Sequence, residues 1–102
     1  MPESQYEEAA VAESREKVEE PPLFRVLLHN DDYTTMEFVV WVLESVFNMP
    51  EEQAIQVMLN VHLRGSGVAG IYTYEVAETK VEKTTSLARE HEFPLLVTME
   101  AV

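Results

Sequence analysis

The chain has 102 residues, 46% of them apolar, and sets 7 Lys+Arg against 19 Asp+Glu for a formal charge of -12. That fits one ordinary domain and disfavours sequence-independent contact with nucleic-acid phosphates or anionic membranes. Its longest apolar run, Phe38 to Leu43, falls far short of the ~20 residues of a spanning helix, and there is no cysteine for disulfides, thiolate metal sites or nucleophilic catalysis. The N-terminus carries glutamates where a secretory signal has basic and apolar regions, so the cytoplasm is the expected location. Residues 1–20 hold seven glutamates against Arg15 and Lys17, with little that could cover a core. Burial cannot offset the ordering entropy of such a segment. Residues 1–22, closed by Pro21-Pro22, are therefore expected to be a flexible, disordered acidic extension: a solubilising tail or a handle for a partner. Residues 23–102 are expected to form the folded domain.

From Leu23 the texture changes. Leu23 to Leu28 is short and apolar and runs into His29-Asn30-Asp31-Asp32, a dense turn signal, so a strand is predicted. Thr34-Thr35-Met36-Glu37 has the form of a capping box, with Thr34 as the N-cap and Glu37 reaching back to it. The helix that follows carries Met36, Val39, Val40, Leu43, Val46 and Phe47 at three- and four-residue spacing. Asn48-Met49-Pro50 stops it, and Pro50-Glu51-Glu52 starts a second helix with the stripe Ala54, Ile55, Met58, Val61 and His62, ended by Gly65. Gly65-Ser66-Gly67 reads as a loop and Val68 to Tyr74 as a strand. Glu75 to Glu90 is a third helix with Ala77, Val81, Thr84 and Ala88 on one face, and Leu95 to Met99 a last strand. The predicted order is β-α-α-β-α-β, an α+β domain with helices packed on one face of a three-stranded sheet.

Two places could carry chemistry. His29-Asn30-Asp31-Asp32 could bind a divalent cation or act as acid and base, but Asn and Asp in such a run more often simply turn the chain. Gly65 to Gly70 spells G-x-G-x-x-G, yet it precedes a strand and opens no helix, so it is no dinucleotide site. His62 closes the apolar edge Ile55–Met58. A lone histidine there is commonly a satisfied core or rim residue. Alternatively, Met36, Val39, Met58 and Val61 form the walls of a pocket with Asn30, Asp31 and His62 at its mouth. Such a pocket suits an apolar side chain below and a cationic amine above.

The segments Asn30-Asp31-Asp32-Tyr33-Thr34-Thr35-Met36-Glu37-Phe38-Val39, Met58-Leu59-Asn60-Val61-His62 and Glu75-Val76-Ala77-Glu78-Thr79-Lys80-Val81, with Pro94-Leu95-Leu96, resemble the ClpS adaptor family across residues 22–102. The resemblance implies a non-enzymatic adaptor, without cofactor or metal, on a core of three antiparallel strands and three helices. It would bind substrates that begin with Leu, Phe, Tyr or Trp and deliver them to a Clp AAA+ unfoldase, ClpA or ClpC, for degradation by ClpP. Asn30, Asp31 and His62 would bind the substrate's α-amino group and first peptide. Thr34, Met36, Val39, Met58, Val61 and Leu95 would line or border the side-chain pocket. Glu75 and Lys80 would face the unfoldase's N-terminal domain, and the acidic extension would engage the unfoldase during hand-over. Two positions depart from the family pattern: Thr35 stands for a usual proline, expected as the first residue inside the helix, and Trp41 for a usual polar residue. The alternative of another class is a small metal-dependent hydrolase built on His29, Asp31, Asp32 and His62. A third reading is a module of this shape that binds only the unfoldase.

Overall fold

The computed structural model describes residues 21–102; the acidic stretch 1–20 lies outside them. The elements follow as β1 (Leu23–His29), α1 (Met36–Ser45), α2 (Glu51–Arg64), β2 (Ser66–Thr73), α3 (Tyr74–Glu90) and β3 (Leu96–Ala101). This is the expected β-α-α-β-α-β order. The sheet runs β2-β1-β3, with β1 antiparallel to both neighbours.

Alternation along β1 sets the layers. Val26 and Leu28 point into the core and are fully buried. Arg25 and His29 are half-buried and bond β3 side chains: Arg25 Nη1 donates to Glu100 Oε1 at 3.1 Å, and His29 Nε2 lies 2.7 Å from Thr98 Oγ1. Pairing with β2 skips one residue, since Val26 faces Gly70 while Leu27 faces Val68. The skipped Ala69 is a bulge that still sits buried in the core. All three strands touch α3, while α2 lies along β2 and carries α1 on its side. The core joins Val26, Leu28, Val42, Leu43, Ala77, Ala88 and Leu95, each fully buried. Truncating a leucine such as Leu28 or Leu43 to alanine in so small a core costs about 2–5 kcal/mol.

Three expectations need correction. The buried face of α1 is Phe38, Val39, Val42 and Leu43, whereas Met36 is 44% exposed and Val40 half-buried, so the helix is rotated from the predicted stripe. The α1 cap is Thr35, with φ -74° and ψ 151°; its side chain accepts from the Phe38 N–H at 3.1 Å, and Thr34 is engaged elsewhere. Thr35 is thus outside the helix, where its dihedral suits proline but its hydroxyl supplies a bond proline cannot make. Finally, Ser66 and Gly67 belong to β2, pairing with His29 and Leu28. A Cβ on Gly67 would stand 2.9 Å from a Val61 methyl and 3.0 Å from the Val57 carbonyl oxygen. Only glycine lets β2 run that close to α2.

Candidate functional site

The β1–α1 loop owes its shape to Asp31. One carboxylate oxygen, Oδ1, accepts from the backbone N–H groups of Tyr33 (2.8 Å) and Thr34 (2.7 Å), and Oδ2 accepts from the Thr34 hydroxyl (2.7 Å). This is an Asx-type turn, and it takes the threonine that would otherwise cap α1. Burial by itself raises the Asp31 carboxyl. The opposing pull of the Thr34 N–H, the Thr34 hydroxyl, the Tyr33 N–H and the Arg89 charge is larger and leaves it below the ordinary carboxylate value.

The end of α2 is fastened to the same loop. Gly65 caps α2 in the left-handed region at φ 93°, its N–H donating to Val61 O at 3.1 Å. Its carbonyl then accepts from the Asn30 N–H at 2.9 Å. Gly65 is therefore the joint that brings Asn30, from one element, beside His62 in the last turn of another. Added atoms at Gly65 would meet nothing within 4 Å, so a substitution there is opposed by backbone conformation alone. Gly65→Ala is expected to destabilise the fold by about 1–2 kcal/mol and Gly65→Asn by clearly less. Urea midpoints of the two variants check this, and equal losses would show that the left-handed conformation is not the cause.

Between the loop and the two helices lies a cleft of about 400 Å³ lined by Asn30, Asp31, Asp32, Tyr33, Thr34, Thr35, Met36, Val39, Met58, Val61 and His62. Its lining combines polar side chains with the apolar Met36, Val39, Met58 and Val61. The structure thus assembles Asn30, Asp31 and His62 with Thr34, Met36, Val39, Met58 and Val61. Leu95 is not with them: it is fully buried in the core and does not line the cleft. Its backbone carbonyl accepts from Arg89 Nη1 at 3.1 Å, as does that of Phe93 at 2.8 Å. Arg89 so ties the α3–β3 connection beneath the Asp31 loop, a role that sequence analysis missed although a cation in a helix's last turn is a readable signal.

His29, bonded to Thr98 on the sheet, stays out of the cleft, so the four residues of the hydrolase alternative do not converge. Among the described residues, no group of three or more His, Asp or Glu side chains could hold a metal ion. Glu75 is exposed in the first turn of α3. Lys80 is half-buried: its Nζ donates to the Val46 carbonyl at 2.6 Å, beside the rings of Phe47 and Tyr72. That ammonium closes the C-terminal end of α1, where a cation is favoured. Among the described residues, no helix is long and apolar enough to cross a membrane.

The family model described as "ATP-dependent Clp protease adaptor protein ClpS" matches residues 19–98. An ATP-dependent Clp protease adapter protein ClpS from Desulfatibacillum aliphaticivorans is 59% identical over 90 residues, covering 88% of this chain and 86% of its own. The Myxococcus xanthus protein of that description is 50% identical over 98 residues, with 94% and 92% covered. The structure of Agrobacterium tumefaciens ClpS2 bound to L-phenylalaninamide superposes with a TM-score of 0.78 at 43% identity, covering 81% of this chain and 100% of that one.

Proposed function

The chain belongs to the ClpS family of Clp protease adaptors, which are not enzymes, and from that premise we propose that it recognises substrates by a free α-amino group and a bulky apolar first side chain. Substrates beginning with Leu, Phe, Tyr or Trp are bound in the cleft and delivered in the cytoplasm to the N-terminal domain of a Clp AAA+ unfoldase, ClpA or ClpC, for degradation by ClpP. The observation that carries this reading is one cleft lined both by the polar Asn30, Asp31 and His62 and by the apolar Met36, Val39, Met58 and Val61. L-Phenylalaninamide, the ligand of the Agrobacterium protein, has both halves of the matching chemistry, a free amine and an aromatic side chain.

The chemistry selects termini. A carboxylate has about four acceptor positions. The Tyr33 and Thr34 donors take three on Asp31, which leaves an Oδ2 lone pair and the negative charge for an ammonium. An internal peptide nitrogen has one donor and no charge, so it gains little there. Below, Met36 and Met58 give adaptable thioether walls that suit aliphatic and aromatic guests alike. The test is a titration with short peptides starting with Leu or Phe, free or N-acetylated. Acetylation is expected to weaken binding roughly a hundredfold or more, because it removes the charge and the donors that depend on it. Equal binding of both forms overturns the reading.

Delivery uses another surface in this proposal. Glu75, exposed at the start of α3, lies outside the residues lining the cleft, and residues 1–22 are the extension that engages the unfoldase during hand-over. Glu75→Lys is expected to weaken binding to the unfoldase N-terminal domain while peptide affinity stays within about twofold, as for any rim charge distant from the ligand. A parallel fall of both affinities would merge the two surfaces into one. Lys80 is the poorer probe, because replacing it also strips the bond to Val46 and loosens α1.

A further inference from the structure

A second concavity, of about 310 Å³, lies on the α1–α2 pair and is walled by Met36, Val40, Trp41, Ile55 and Met58. Glu37 and Glu44 complete the lining, but almost none of its surface is polar. Met36 and Met58 also line the cleft, so the two concavities share a wall of flexible thioether side chains. Trp41 and Ile55 line this groove and not the cleft, and they are 43% and 37% exposed. The indole is held in place by Phe38 and His91, whose ring centroids each lie 5.7 Å from its own. An aromatic face ordered before a ligand arrives loses little entropy on binding. Covering such a surface favours an apolar side chain, whereas a charged or amide group would be desolvated there without a partner.

The spacing of the two concavities decides which side chain that is. Groups touching opposite sides of one thioether stand roughly 8–9 Å apart, twice the ordinary contact distance. On an extended chain neighbouring side chains point to opposite faces, and those two apart emerge on the same face about 6.4–6.8 Å from each other. The two spans agree to within the splay of two side chains. We propose that the groove is a second, apolar subsite, which takes a large aliphatic or aromatic side chain at the third residue of the bound substrate. The subsite rests on the reading that the first residue fills the cleft. With that first side chain against one side of Met36 and Met58, the third reaches over them onto Trp41 and Ile55, while the second points away from the surface. The fifth, about 13 Å along, lies beyond the shared wall.

The test uses the full chain and peptides with a free N-terminal leucine followed by alanines, with one leucine, phenylalanine or asparagine at position 2, 3 or 9. At position 3, leucine or phenylalanine is expected to improve affinity over alanine by about three- to tenfold, the return for burying part of one large apolar side chain. Asparagine, with nearly the shape of leucine, brings no gain there, and no side chain does so at position 2 or 9. Binding of the position-3 phenylalanine peptide also alters the emission of Trp41, the chain's single tryptophan, where the all-alanine peptide leaves it nearly unchanged. Trp41→Gln should shrink the position-3 preference below about twofold, and Ile55→Gln should at least halve it. The all-alanine peptide keeps its affinity in both variants, since neither residue lines the cleft. A gain that is as strong at position 2 or 9, or that survives both variants, belongs to general hydrophobic attraction and overturns the subsite. No gain at position 3, with the all-alanine peptide bound normally, also overturns it and leaves the first-residue reading standing. A dimer of the free chain that sedimentation detects and Trp41→Gln dissociates would assign the groove to a second copy and overturn the subsite as well. If no free-amine leucine peptide binds at all, the reading of the cleft itself fails and the subsite falls with it.

Discussion

Replacing Asp31 by alanine is expected to weaken binding of a leucine-initiated peptide by about 1.5–3 kcal/mol, roughly ten- to a hundredfold, the usual worth of a hydrogen bond to a charged group. Two effects add in that variant. The ammonium loses its carboxylate, and the loop loses the acceptors of the Tyr33 N–H, the Thr34 N–H and the Thr34 hydroxyl. Asp31→Asn separates them. Its amide oxygen can still accept from the two N–H groups, but the charge is gone, so the loop largely survives while the attraction to ammonium does not. Peptide affinity and thermal stability measured on both variants check the division. Asp31→Asn should lose most of the affinity with little change in Tm, whereas Asp31→Ala should lose both. Unchanged affinity in a folded Asp31→Asn protein would show that the carboxylate serves only the turn.

The elements of the fold were legible because each is written in local pattern. Alternation in β1, the glutamates after Pro50 and the glycine at position 65 each specify one element through neighbours in sequence. What failed depends on distant partners. The choice between Thr34 and Thr35 as cap is decided by Asp31, which takes Thr34 into its own turn. The rotation of α1 is decided by tertiary packing: Phe38 turns inward onto the rings of Phe93 and His91, from the α3–β3 connection, while Met36 and Trp41 stay at the surface. Lys80 looks like a surface charge in sequence, yet its ammonium is spent on the Val46 carbonyl, 34 residues away. The cleft itself joins residues 30–39 to residues 58–62, and Asn30 N–H to Gly65 O is one of the bonds that hold the two together. Periodicity cannot show such a bond, so the residues offered the pocket only as an alternative to a plain turn and a core stripe, and the motif resemblance tipped the choice. Leu95 is the exception within that set: it came from the separate Pro94-Leu95-Leu96 segment, and its side chain is fully buried in the core and does not line the cleft.

Peptide affinity is expected to fall about tenfold per pH unit once the solution rises well above the α-amine's free pKa of ~8, because the cleft binds the ammonium form. Asp31 does not set the limit on the other side of neutrality. Its carboxyl is held below the ordinary value, so its contribution to the folded loop is complete above the unfolded carboxylate pKa of ~3.9 and is lost only as pH falls through the lower folded value. From pH 5 upward the carboxylate is a constant, and the alkaline limb belongs to the ligand. Peptide affinity measured from pH 5 to 10 in the wild type and in Asp31→Asn checks this: the wild type should show the alkaline limb, and Asp31→Asn, which has lost the charge that prefers ammonium, should show it much weakened. Affinity as strong at pH 10 as at pH 7 would mean that the neutral amine is bound equally well and that the charge of Asp31 plays no part in recognition.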